Sequence, residues 1–382
     1  MNDPFLRFLT VARWTSALVA TCYHVRFLLL ASYGSLHEPS PLLTGFYFLT
    51  GLGHESYAVY FILDGIFAGL IVQRQRRGAA GAPSAGYVAA LYRIVIPGLL
   101  VGACLDIGAS RVLDQAGVYA AFPEFSTLTL GFSTFAGNLL MLQPFFVPAF
   151  GSNSMLYLPS WLFWSWVLLA LALRAARMTS PYGRYLQVLL AIAVLAVLPY
   201  QFVIWAAIWL AGVGLVFLCE AHAWRPPLLA GVLACAGALV LSRLLGGITG
   251  GFAQPLREWI IQCGFLAVGL GFAAIAWACY PRRRPGESSC LSPSAPARID
   301  AWAGQAASFT FFFHFPVIML LAALGAGSLG LPLMQPPSAV VFAWFACLVG
   351  ASACAGAVVM AASARLLRAW SEGAAALAPK RR

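Results

Sequence analysis

Ten apolar runs, near 12–33, 56–72, 88–107, 156–173, 185–199, 201–219, 226–242, 259–279, 306–327 and 338–362, constrain this chain more than any other feature of its sequence. A helix needs about twenty apolar residues to cross the hydrocarbon of a bilayer, and in lipid only helices and closed barrels satisfy their own backbone groups. The runs are continuous instead of alternating, which excludes a strand barrel. The expectation is an all-α, polytopic transmembrane helical bundle of about ten helices, a single integral membrane domain over residues 1–382. Composition agrees, with 61% hydrophobic and 9% charged residues, where a soluble domain carries about a quarter charged.

The formal net charge of +11 would suit a nucleic-acid partner, but the basic residues gather at the ends of apolar runs, in QRQRR at 73–77, PRRRP at 281–285 and the terminal KRR. Such clusters mark cytoplasmic loops, and no nucleic-acid partner is expected. The region 125–150 is apolar but broken by Gly, Pro and Asn. If it spans, Arg174, Arg177 and Arg184 fall outside the cell. If it is re-entrant or interfacial, every Arg cluster falls inside, so the positive-inside bias favours ten spans with both termini cytoplasmic. The nine Cys lie mostly within apolar segments (Cys22, Cys104, Cys235, Cys263, Cys347, Cys354). No CxxC pair or Cys/His ligand spacing occurs, so neither disulfides nor a metal site is expected. The N-terminus has no signal-peptide cleavage pattern, and the first run is expected to be retained. The polar stretches 73–86 and 281–300 read as linkers, which leaves chemistry to the bundle and its rims.

Ionisable residues inside such runs are costly and mark functional sites by default. The first run, ARWTSALVATCYHVRFLLL, carries Arg13, His24 and Arg26. Arg13 and His24 are separated by a rise of roughly 16 Å and a rotation of only about 20°, so they share one helical stripe. Between them on that stripe lie Ser16, Ala17, Ala20 and Thr21, all small. The topology places Arg13 near the cytoplasmic face and His24 in the outer half. The second run has His54 and Glu55 at its outer end and Asp64 near its middle. A buried carboxylate is paired or protonated, and Arg26, Arg93 or His24 could partner Asp64. Arg93 opens the third span in LYRIVIP, and His314 lies among phenylalanines in FTFFFHFPV, with few local partners. Each has a purely structural reading too: packing for the histidines, snorkelling for Arg13 and Arg93, and half of an ion pair for Asp64. His37, Glu38 and His222 fall in loops and carry no functional weight.

Taken in order, these segments resemble the bacterial acyltransferase-3 family, integral membrane proteins that acylate cell-surface and secreted glycans. Arg13 and His24 reproduce the family's first-helix pattern of a basic residue, ten residues and a histidine. GHESYAVYFILDGIFAGLIV is similar to its second-helix stretch, LYRIVIP to the start of its third helix, NSMLYLPSWLFW to a middle helix and FTFFFHFPV to its late Tyr-Leu-x-His-x-Pro segment. The first helix and the following GHE look closest to members associated with exopolysaccharide modification. Two positions depart from the pattern. Asp64 stands where the family commonly has Ser, and Leu162 and Phe163 stand near a frequent Glu, whose role is therefore not carried over. The extra hydrolase-like domain of some members has no counterpart, so transfer is expected to finish within the bundle.

The resemblance implies a multi-pass protein of the bacterial inner (plasma) membrane, an O-acyltransferase moving acetyl, or alternatively succinyl, from acyl-CoA to a glycan or lipid-linked glycan. No cofactor is held permanently; acyl-CoA is a co-substrate and membrane lipids are further partners. Deprotonating a sugar hydroxyl calls for a neutral histidine; His24 is the candidate base, and Asp64 either orients it or alters which substrate fits. Phosphates of the donor call for cations, here Arg13, Arg93 and Arg26, with Arg74, Arg76 and Arg77 as helpers. His314, His54 and Glu55 are candidates for contacting the acceptor. The small-residue stripe either admits the pantetheine arm or packs a close helix neighbour. The competing readings are a transporter or flippase for a lipid-linked glycan and a non-catalytic membrane subunit of a polysaccharide assembly complex.

Overall fold

The computed structural model describes residues 4–77, 83–114, 117–121, 129–281 and 298–377. Residues 282–285 of the PRRRP cluster and the terminal KRR lie outside them. Thirteen helices occur among the described residues: α1 (Pro4–Leu29), α2 (Pro41–Leu49), α3 (Gly53–Arg76), α4 (Pro83–Gly108), α5 (Val118–Ala121), α6 (Phe132–Leu139), α7 (Tyr157–Arg177), α8 (Pro181–Val197), α9 (Tyr200–Ala221), α10 (Leu228–Ile248), α11 (Leu256–Cys279), α12 (Arg298–Ser328) and α13 (Ala339–Leu377). The described residues contain no strand. Each of the ten expected runs is helical over most of its length. Eight of these helices are long and apolar enough to cross a membrane; α1, whose apolar face is interrupted by Arg13, His24 and Arg26, is not among them, and α8, at 17 residues, is short. The chain is a polytopic helical membrane protein.

Local sequence explains several boundaries. Ser40 and Ser180 each precede a proline and accept a backbone hydrogen bond in the first turn, from Leu43 at 3.3 Å and Gly183 at 3.4 Å. That combines an N-cap with the residue whose missing N–H costs nothing at the first helical position. The described part of the broken region, 129–150, holds only the eight-residue α6 and a series of turns, with no helix long enough to cross a membrane. The first helix begins at Pro4, eight residues before the expected start. Arg13 is consequently more than two turns inside the helix.

The long helices run in alternating directions, which gives the bundle two distinct ends. One carries the start of α1, the Arg74–Arg77 cluster, Arg174 and Arg177, and is tied by the ion pair of Arg77 with Glu220 at 2.6 Å. At the same end, Arg225 is buried and donates to the carbonyls of Cys219, His222, Trp224, Tyr280 and Pro281. One cation so shared satisfies the C-terminal carbonyls of α9 and α11, which helices otherwise leave open. At the opposite end, Tyr200 and Gln201 donate to Glu258 at 2.5 and 2.8 Å, and Gln335 N donates to Leu29 O at 2.8 Å.

Helices α3 and α12 form the middle of the bundle and are buried on nearly all faces, whereas α8, α10 and α13 expose apolar flanks such as Leu186, Leu189, Leu229, Leu233 and Val358. Those flanks suit contact with lipid tails. Helices α3 and α9 cross closely. A Cβ on Gly65 would fall onto Trp209 O, and one on Gly212 onto Ile62 O. Glycine at both positions lets the backbones touch, the small-residue packing that drives helix association in lipid. Gly65→Val is therefore expected to separate α3 from α9 and to lower the detergent unfolding temperature by several degrees. Gly214→Ala, where a Cβ meets nothing within 4 Å, should leave that temperature unchanged.

Candidate active site

Two polar centres lie along α1, one around Arg13 and one around His24. The first is a cavity of about 840 Å³ between α1, α3, α4, α12 and α13, within the usual size of ligand sites. Arg13, Asp64, Arg93 and Arg368 line it, with Tyr60 and Ser308 at its inner wall. It reaches from the middle of the bundle toward the arginine-rich end.

Asp64 binds Arg13 in this cavity, with Arg13 Nη2 at 3.8 Å from Asp64 Oδ1. Its other oxygen accepts from Trp209 Nε1 at 2.8 Å and from the Tyr87 hydroxyl. Arg26, Arg93 and His24, the partners open to Asp64 in the sequence, are replaced by Arg13 and two aromatic donors. The reason is positional. Asp64 and Arg13 meet where antiparallel α3 and α1 cross, while the Gly65 crossing carries Trp209 to the same carboxylate. An orientation of His24 by Asp64 is thereby overturned. The Arg13 guanidinium also lies 4.1 Å from the Phe67 ring and 5.7 Å from that of Tyr60, and its Nε is buried without a hydrogen-bond partner. A cation held by one long ion pair and two aromatic faces keeps donors for a further anion.

The second centre pairs His24 with His314, whose Nε2 lies 2.9 Å from His24 Nδ1. His314 was expected to have few partners; α12 runs parallel to α1 and delivers it directly. Each Nδ1 also lies 3.0 Å from a carbonyl, Ala20 O for His24 and Thr310 O for His314. A carbonyl only accepts, so each neutral ring carries its proton on Nδ1. His314 donates to Thr310 O and accepts at Nε2 from His24, whose proton is shared with Ala20 O. That leaves the lone pair of His24 Nε2 facing the Tyr57 hydroxyl at 3.3 Å, and this hydroxyl has Met155 Sδ at 3.7 Å as a second acceptor. His24 is thus held in the tautomer whose free nitrogen meets an O–H group. Such an arrangement can accept a proton from a hydroxyl placed where Tyr57 now stands.

The cavity does not reach His24. Tyr60 donates to Ser308 Oγ at 2.9 Å and stacks on Phe311 with centroids 4.1 Å apart, and Phe311 meets Tyr57 edge-on at 5.6 Å. The small-residue stripe offers no passage either, since Ser16, Ala17, Ala20 and Thr21 are all buried against neighbouring helices. Of the sequence's alternatives for that stripe, close packing is what the fold uses.

The remaining candidates lie elsewhere. Arg26, grouped with Arg13 and Arg93 in the sequence, is at the opposite end of the bundle, with its guanidinium 5.2 Å from the Tyr47 ring and 5.9 Å from that of Tyr23. Arg77 is bound to Glu220 and Arg76 lies over Phe217 at 4.7 Å, away from the cavity. Glu55, at the outer end of its run, is 3% exposed and accepts from Ser242 Oγ at 3.0 Å. His54 is exposed, stacked on Phe265 at 5.6 Å and edge-on to Tyr57 at 5.3 Å. Sequence reading missed Tyr57, Tyr60, Tyr87, Trp209 and Arg368. The signal available for the aromatic four is that a buried Tyr or Trp needs a partner for its polar tip. Among the described residues no group of three His, Cys, Asp or Glu is placed to hold a metal.

No family model, no curated protein and no solved structure matches this chain.

Proposed function

We propose that this protein is a membrane O-acyltransferase that takes a short acyl group, acetyl in the first instance, from acyl-CoA at the arginine-rich end and passes it to a hydroxyl of a glycan at the other. The observation that carries this reading is the arrangement along α1: an arginine-lined cavity around Arg13, and further along the same helix a histidine pair with one nitrogen free to accept a proton. The ordered resemblance of five segments to the acyltransferase-3 family supports the same assignment.

In this reading the arginine-rich end faces the bacterial cytoplasm, as the positive-inside bias requires, and both termini lie there. Arg13, Arg93 and Arg368 bind donor phosphates by charge-assisted hydrogen bonds. The acyl-pantetheine arm advances toward His24 as the Tyr60 and Phe311 rings turn aside, and the acceptor hydroxyl replaces that of Tyr57 at Nε2. The hydroxyl oxygen attacks the thioester carbonyl while its proton passes to Nε2. The C–S bond breaks as the ester C–O bond forms, and the proton leaves with the thiolate as CoA thiol. His314, accepting from Nδ1–H, stabilises the imidazolium that forms between those steps.

The test is incubation of purified protein in detergent with acetyl-CoA and a surface glycan, followed by mass spectrometry of both products. Free CoA together with a glycan heavier by one acetyl group is the expected outcome. Transport without consumption of acyl-CoA would establish the flippase reading instead. Arg13→Ala is expected to raise the KM for acyl-CoA about tenfold, the loss of one charge-assisted contact, and to leave the KM for the acceptor unchanged. An unchanged donor KM would remove Arg13 from the donor site.

A further inference from the structure

At the end opposite the cavity, two arginines from distant parts of the chain converge on one turn. Arg26, in the last turn of α1, lies over the rings of Tyr23 and Tyr47, and its Nε is buried without a hydrogen-bond partner. Arg243, in the last two turns of α10, donates from Nη1 to Gly51 O at 3.1 Å, in the turn joining α2 to α3. Its Nη2 lies 2.9 Å from where a Cβ of Gly51 would be, and Tyr47 O lies at the same distance from that point. Tyr47 therefore stands between the two arginines, with its ring under Arg26 and its carbonyl on the side of Gly51 that faces Arg243.

Like charges are not brought together at a membrane interface without compensation, and the compensation present is incomplete. Among the described residues no carboxylate lies within 4.0 Å of either guanidinium; the ion pairs found there are those of Arg13 with Asp64 and Arg77 with Glu220. Glu55 is close by but is turned to Ser242 Oγ. Arg26 spends its charge on two aromatic faces and Arg243 on a single carbonyl, so most of their N–H donors remain available. The planar guanidinium fork matches carboxylate and phosphate oxygens, which is why paired arginines recur where such groups are held.

The surroundings resemble a sugar-binding floor. Tyr23 and exposed His54 meet edge-on at 5.4 Å, and Tyr33 lies 5.5 Å from Tyr47, presenting amphipathic rings beside the two cations. This platform adjoins the histidine pair. The Tyr23 ring lies 5.1 Å from His24, and Tyr57 links His54 to His24 Nε2.

We infer that Arg26 and Arg243 form an oxyanion site at the end of the bundle opposite the cavity, and that the acceptor carries a carboxylate or phosphate group which this site holds. The assignment of the oxyanion to the acceptor rests on the acyltransferase reading above; the site itself does not. It places the acidic group one aromatic layer from the base, so that a hydroxyl on the same or a neighbouring sugar is presented to His24. A neutral glycan gains nothing from the two arginines.

Binding to full-length protein in phosphatidylcholine nanodiscs tests this without any acyl transfer. The probes are a labelled hexuronate oligosaccharide, its carboxyl-reduced counterpart and a sugar phosphate of the same length. Wild-type protein is expected to bind the hexuronate or the phosphate at least tenfold more tightly than the neutral sugar. Arg26→Gln and Arg243→Gln should each abolish most of that preference, and Arg243→Lys should retain part of it. Gly214→Ala, where a Cβ meets nothing within 4 Å, should bind as wild type does. Equal affinity for acidic and neutral probes, or a preference that survives both Gln variants, overturns the inference. A preference lost when the nanodiscs contain phosphatidylglycerol makes a lipid headgroup the occupant and overturns the assignment to the acceptor. Failure of binding with acyl-CoA turnover intact removes only this site. Intact binding with no turnover removes only the acyltransferase.

Discussion

Replacing His24 with alanine is expected to lower acyl transfer by roughly 10²- to 10⁴-fold, the usual contribution of a positioned general base, while the protein remains inserted and its detergent unfolding temperature changes little. The argument is one of geometry. His24 Nε2 is the one imidazole nitrogen of the pair whose lone pair faces a hydroxyl, because both Nδ1 protons are committed to carbonyls and His314 Nε2 is occupied by His24. His314 does not meet Tyr57, so its role is positioning. His314→Phe should therefore cost less, about 10- to 100-fold in kcat, and leave the KM for acyl-CoA unchanged. Steady-state kinetics of both variants, with unfolding temperatures in the same detergent, make the check. Wild-type turnover by His24→Ala would sink the mechanism, and a larger loss at His314 than at His24 would exchange their roles.

The second large effect belongs to Asp64. Alanine there leaves Arg13 without its counter-ion and deprives Trp209 Nε1 and the Tyr87 hydroxyl of their acceptor, all in the buried middle of the bundle. Removing one partner of a buried charged pair costs on the order of 3–5 kcal/mol, which should appear as poor accumulation and a much lower unfolding temperature. Asp64→Asn keeps an acceptor for Trp209 and should fold better. Its kcat is expected to hold, because Asp64 does not touch His24, while the KM for acyl-CoA changes through the altered hold on Arg13. A collapse of kcat at constant KM in Asp64→Asn would place the carboxylate back in the chemistry.

The contrast between these two residues shows what was legible in the sequence. Arg13 and His24 could be found because an ionisable side chain inside an apolar run stands out on cost alone, and their shared stripe followed from helical geometry. Their partners could not. Asp64, Arg93 and His314 were equally visible as polar residues, but a run of apolar sequence does not say which helix lies beside which. The sequence neighbours of His314 are phenylalanines, which offer it no polar partner; its actual neighbour is 290 positions away. Arg26 misled in the opposite sense. Grouped with Arg13 and Arg93 as a cation for the donor phosphates, it lies more than three turns of α1 beyond Arg13, past the base and at the other end of the bundle.

The sequence by itself determined the architecture, since each apolar run must satisfy its own backbone as a helix in lipid, and it marked the polar residues that lipid would not tolerate without a reason. Only the tertiary structure decided how those residues pair. The glycine crossing of α3 and α9 brings Trp209 to Asp64, the parallel course of α1 and α12 brings His314 to His24, and the turn at Gly51 brings Arg243 toward Arg26. Helix neighbours in a membrane are chosen by surface fit and small-residue contact, quantities spread over many side chains and both partners, and no single segment records them.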